Sequence, residues 1–153
     1  MKKFFVLIAA LFVLASVPTF AAGPAGLTGL GVYGSVGTTN GALGGGVGLS
    51  LKWGSFPVVG LQYDFAADRF GGSVDYYVID ADGIASHISY FLGAGLYAGI
   101  ASGDFDFGLR IPVGLQFWPV RKLELYISPV LSIPLIPTPD VGIGAEFGAR
   151  IHF

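Results

Sequence analysis

Three observations predict an all-β fold, an eight-stranded antiparallel up-and-down transmembrane β-barrel that follows a cleaved signal peptide. Large apolar residues recur at every second position through most of the chain, the period of a strand with one oily face. Charges inside those runs fall on the opposite face. An export signal stands at the amino end: Lys2 and Lys3, an apolar core from Phe4 to Val17, and the small-x-small site Thr19-Phe20-Ala21. The expected division is a signal peptide over 1–21 and a barrel domain over 22–153. The apolar core of the signal is shorter than the roughly 20 residues that cross a bilayer as a helix, and Pro18 ends it.

Each strand can be read in turn. Leu30, Val32 and Val36 mark the first. Leu43, Val47, Leu49, Leu51 and Trp53 mark the second, with glycines, Ser50 and Lys52 opposite. Val59, Leu61, Tyr63 and Phe65 mark the third, and Val74, Tyr76 and Val78 the fourth. Ile88, Tyr90, Leu92, Ala94, Leu96 and Ile100 mark the fifth; Phe105, Phe107, Leu109, Ile111, Val113, Leu115 and Phe117 the sixth. Leu123, Leu125, Ile127, Leu131 and Ile133 mark the seventh. In the eighth, Val141, Ile143, Ala145, Phe147, Ala149, Ile151 and Phe153 alternate with Gly142, Gly144, Glu146, Gly148, Arg150 and His152. Turns are expected near 54–57, 80–86 and 119–122 at one end, and near 38–41, 66–71, 101–104 and 134–140 at the other.

Composition narrows the class. The chain has 153 residues, 53% of them apolar, and a mean hydropathy of +0.70, yet no stretch after the signal is continuously apolar enough for a membrane helix. Absence of cysteine rules out disulfides, thiol chemistry and a lipoprotein anchor. A formal charge of −2 without basic runs gives no reason to expect nucleic acid.

Periodicity alone fits a soluble barrel as well as a membrane one. Two features favour the membrane. Lys52, Asp64, Asp75, Arg110, Glu124, Glu146 and Arg150 all lie opposite the oily residues, as they must if those residues touch lipid, where a mid-membrane Arg or Lys costs roughly 2–4 kcal/mol. The polar face is also rich in glycine and serine, which suits the crowded interior of an eight-stranded barrel better than a solvated exterior. With a periplasmic amino terminus, Trp53, Tyr90, Phe117 and Phe153 lie at the periplasmic boundary, and Tyr63, Phe65, Phe105 and Phe107 at the outer one, as two aromatic girdles. The expected location is the bacterial outer membrane, with short surface loops.

From about Val74 onward the chain resembles the small outer-membrane barrels of spirochaetes, a family similar to the OmpA transmembrane domain, OmpX and OmpW. The resemblance rests on Asp75-Tyr76-Tyr77, the segment Phe91 to Tyr97, Arg110-Ile111-Pro112-Val113-Gly114, Leu123-Glu124-Leu125 and the ending Gly148 to Phe153. It implies insertion by the outer-membrane assembly machinery, with the terminal aromatic Phe153, backed by Ile151 and Phe147, in the recognition signal. It also implies contact with lipid and, in some relatives, with an extracellular or host protein through surface loops. No catalytic or binding residue carries over from it.

The inward charges are expected to pair along the axis, in a lower cluster of Lys52, Glu124 and Arg150 and an upper one of Asp64, Arg110 and Glu146, with His152 near the periplasmic mouth. His87 and Ser89 form an H-x-S pair but lack a spaced acid, so they read as a polar strand start. Gly29-Leu30-Gly31-Val32-Tyr33-Gly34 matches a nucleotide-binding pattern by letters only, without the required helix. Asp80-Ala81-Asp82-Gly83 reads as a turn and not a calcium loop. No cofactor, metal or enzymatic activity is expected, and the protein reads as a monomer. The leading function is an envelope-structural or surface-interaction role for a barrel closed by paired charges. An OmpW-like channel for small hydrophobic molecules ranks second, with Pro112 and Pro129 as weak points in the ladder. A lipid-modifying enzyme ranks third.

Overall fold

A computed structural model describes residues 28–39, 42–54, 56–85, 87–137 and 140–153, so the expected signal peptide lies outside the described residues. Eight strands follow in chain order: β1 (Thr28–Thr39), β2 (Ala42–Trp53), β3 (Val58–Asp64), β4 (Arg69–Ala85), β5 (Ile88–Ala101), β6 (Asp104–Val120), β7 (Leu123–Ile136) and β8 (Gly142–His152). Each pairs antiparallel with its sequence neighbour, and β8 returns to β1, so the sheet closes with no free edge. The seam is completed at the chain's end, where Thr28 and Phe153 exchange backbone hydrogen bonds of 3.2 and 3.0 Å. The rim holding Thr28 and Phe153 is called the terminal rim, and the opposite one the far rim.

Alternation places the side chains. Leu43, Val47, Leu49 and Trp53 of β2 stand exposed on the outer wall, as do Ile143, Phe147 and Ile151 of β8. Lys52, Asp75, Arg110, Glu124, Arg150 and His152 are buried inside. Polar groups in the interior and apolar groups outside invert the usual soluble arrangement.

Glycines on the inner face make room for rings. A Cβ on Gly48 would lie 2.6 Å from the Tyr33 ring, and one on Gly114 2.4 Å from Phe91. Gly108 and Gly148 stand in the same relation to Tyr97 and Tyr126. A ring laid over a bare backbone on the next strand fills the narrow interior that two full side chains would overcrowd.

The fourth strand departs from the sequence reading. The register slips between Tyr77 and Ile79, a bulge that takes up Val78 and transfers the outward position to Ile79. Beyond the bulge the strand continues to Ala85, so the turn expected over 80–86 is mostly strand and Asp80 is an interior residue, 1% exposed. At the far rim β4 starts at Arg69, leaving only Phe65 to Asp68 as turn. The chain bends from β5 to β6 through Ser102 and Gly103 alone, and Gly103 takes φ +91°, where a side chain would be strained.

Candidate functional site

Where polar side chains meet inside the barrel, they form two zones. Toward the terminal rim a hydrogen-bonded network crosses the interior. Glu124 accepts hydrogen bonds from Arg150 Nη1 at 2.6 Å and Gln116 Nε2 at 3.2 Å, and its other oxygen lies 2.7 Å from His152 Nε2. Arg150 also donates from Nε to Ser50 at 2.8 Å and stacks on the Tyr126 ring, 3.9 Å from its centroid. Gln116 accepts from the Ser89 hydroxyl at 3.0 Å, and Ser89 accepts from Trp118 Nε1 at 2.9 Å. Tyr77 and Phe91 stack beside this chain at 4.3 Å, and Lys52 pairs with Asp80 at 2.9 Å. Every strand but β1 and β3 contributes to the network, so it ties the barrel across its diameter.

A second cluster crosses mid-barrel. Arg110 of β6 lies 3.0 Å from Asp75 of β4 through Nε and 2.9 Å from both oxygens of Glu146 on β8 through Nη2. Beside it, Tyr33 donates to Gln62 at 3.2 Å. Above this floor a cavity of about 250 Å³ reaches the far rim at Thr38, Ala66 and Ala67. Its wall includes Asp64, Ser73, Tyr97 and Arg69, whose guanidinium pairs with Asp106 at 2.8 Å. Exposed Asp68, Asp104 and Asp140 stand around the same rim, while the exposed bases Arg121 and Lys122 lie in the turn of the terminal rim.

The expected clusters are thus partly regrouped. Glu124 meets Arg150, and Arg110 meets Glu146, but Lys52 turns to Asp80 because the β4 bulge brings that carboxylate inward. Asp64 does not reach Arg110. It ends β3, where its Oδ1 accepts the backbone N–H groups of Ala66 and Ala67 at 2.9 and 3.0 Å and shapes the turn. Its former place is taken by Asp75. Sequence reasoning missed Asp80 and the Arg69–Asp106 pair by putting Asp80 and Arg69 in turns, and it passed over Gln116; inward parity in longer strands is the signal that would have found Arg69, Asp106 and Gln116, whereas Asp80 has the outward parity of β4 until the bulge at Val78 turns it in.

The remaining residues singled out fall on the outer wall or at the rims. Trp53, Tyr90 and Phe117 are exposed toward the terminal rim, and Tyr63, Phe65 and Phe105 toward the far rim; Phe107 is half-buried. Tyr63 packs edge-on to Phe65 and hydrogen-bonds Asp68. Phe147, Ile151 and Phe153 follow one another down the outside of the β8 segment. Ser89 is held by Gln116 and Trp118. Gly29 to Gly34 lie within β1, and no group of acids and histidines among the described residues forms a metal site.

No protein-family model matches the sequence, and no curated protein sequence matches it. Among solved structures, the N-terminal β-barrel domain of Pseudomonas aeruginosa OprF superposes with a TM-score of 0.59 at 15% identity, covering 84% of this chain and 98% of that one. The two share one fold. Neisserial surface protein A, NspA, aligns with a TM-score of 0.49 at 15% identity, over 83% of this chain and 96% of that one.

Proposed function

We propose that the protein is an integral outer-membrane barrel with an envelope-structural or surface-interaction role, its lumen held shut by buried polar pairs. One observation carries this reading: the outer wall is apolar from rim to rim while the ion pairs are buried on the axis. In water that wall would be an exposed apolar surface far larger than soluble monomers tolerate; in a bilayer it is the lipid contact. Closure of the sheet satisfies the backbone groups that lipid cannot. The signal-like pattern of residues 2–21 and the outward Phe147, Ile151 and Phe153 along and just beyond β8 support delivery to the outer membrane by its assembly machinery. Aromatic residues near both rims support a seat at the two headgroup levels.

The filled terminal half favours a closed barrel over a channel, and its polarity disfavours passage of hydrophobic molecules. Connections as short as Ser102-Gly103 leave little surface for a large partner at the far rim. Fractionation tests the reading: the processed chain is expected in the outer membrane, extractable only with detergent, and migrating faster on a gel before heating than after. Recovery as a stable monomer without detergent overturns it.

A further inference from the structure

We infer that the far-rim vestibule is a binding site for a small organic ammonium cation. The inference goes beyond the membrane reading, and its failure leaves that reading untouched. The vestibule is built, not left over. Its volume of about 250 Å³ lies below the roughly 300–1,000 Å³ typical of drug-sized ligands, so it suits a molecule of a few heavy atoms.

Charge balance decides the sign of the occupant. At the floor the single Arg110 guanidinium faces two carboxylates, Asp75 and Glu146, so carboxylates outnumber the guanidinium at the base of a cavity that opens at the far rim. Asp64 adds another on the wall, with no ion pair to a described base. Arg69 is paired through Nη1 with Asp106, while its Nε has no hydrogen-bond partner among the described residues. Both cations of the vestibule are therefore engaged, while carboxylate charge is in excess, and the acids of the rim extend the same field outward to steer a cation in.

The polar groups fit an N–H donor. Ser73 is only 8% exposed and lines the cavity, yet its hydroxyl has no hydrogen-bond partner among the described residues. It can accept from an ammonium group, as can the remaining lone pairs of Glu146 and the second oxygen of Asp64. Tyr33 and Tyr97 add rings to the lining, which favours an organic cation over a bare metal ion. Consistent with that choice, the acids do not converge as metal ligands among the described residues.

Three probes of equal length and different charge test the site on the full chain in detergent micelles at low ionic strength: 1,4-diaminobutane, 1,4-butanediol and succinate. Backbone and tyrosine resonances should shift saturably with the diamine alone, and the shifts should cluster around Tyr33, Ser73, Tyr97 and Glu146. Asp64→Asn keeps an oxygen for the Ala66 and Ala67 N–H groups and should weaken diamine binding at least tenfold. Glu146→Gln should do the same if it folds; Asp64→Asn decides if it does not. Ser35→Phe, which fills the cavity from β1, should abolish the shifts. An equal response to the diol or to succinate overturns the inference, as does unchanged affinity in Asp64→Asn, absence of saturation with the diamine, or shifts confined to Asp104 and Asp140.

Discussion

At the scale of single residues, burial decides which charges matter. Glu124 is 0% exposed and holds Arg150, Gln116 and His152 together. Replacing it with alanine strands the Arg150 guanidinium where no water can serve it, and breaking a buried pair in this way costs about 3–5 kcal/mol. Glu124→Ala should lower the unfolding midpoint in urea-containing micelles accordingly, while the double variant Glu124→Leu with Arg150→Met should recover much of the loss because neither charge is left alone. Asp106→Asn should behave differently. Its pair with Arg69 has side chains 22% and 21% exposed, so solvent screening limits the effect to about 1 kcal/mol or less. Glycine obeys the same logic of space. Gly114→Ala puts a methyl 2.4 Å from the Phe91 ring and 2.6 Å from the Ile127 carbonyl, and the backbone contact cannot rotate away. That variant should yield no heat-modifiable band when refolded.

At the scale of the strand, the two faces make opposite demands. Leu49 lies midway along β2 on the outer wall, and Val120 ends β6 at the terminal rim. Leu49→Arg should therefore cost roughly 2–4 kcal/mol in lipid, and Val120→Arg about 1 kcal/mol or less, measured by reversible unfolding from vesicles. Equal costs would place the wall out of lipid. This alternation is why most of the barrel was legible: β2 and β8 keep one parity from end to end, β6 keeps it from Phe105 to Phe117, and parity alone assigns those faces. The fourth strand hid its course because the bulge at Val78 changes parity halfway, and Asp80-Ala81-Asp82-Gly83 carries turn-forming residues in the stretch after it. The site was legible as a set of inward residues but not as partners. Which carboxylate meets which base depends on register and on where each strand ends, so Asp80 replaces Glu124 beside Lys52, and Asp64 becomes a turn acceptor. Proline in the ladder proved less disruptive than its chemistry suggests: opposite Pro129, the Ser128 hydroxyl donates to the Val113 carbonyl at 3.1 Å, giving β6 a substitute bond.

At the scale of the whole molecule, the proposed closure of the lumen rests on two layers of polar pairs, and the two are expected to act independently. Arg110 with Asp75 and Glu146 forms the floor of the vestibule, while Glu124, Arg150 and Gln116 fill the half below it. Eight strands enclose a narrow interior, so under the proposed closure an ion would pass only if both layers yield. The wild-type protein should accordingly show no steady conductance in a planar bilayer. Arg110→Ser removes only the floor and should deepen the vestibule without current. Glu124→Ser with Arg150→Ser loosens only the lower layer, and the Arg110 cluster should still block it. Combining all three substitutions should connect the two rims and produce a cation-preferring current, because Asp75 and Glu146 then line the opening without their guanidinium. Current in the wild-type barrel, or in either partial variant, would mean that the layers do not act as separate barriers and that the lumen breathes as one unit.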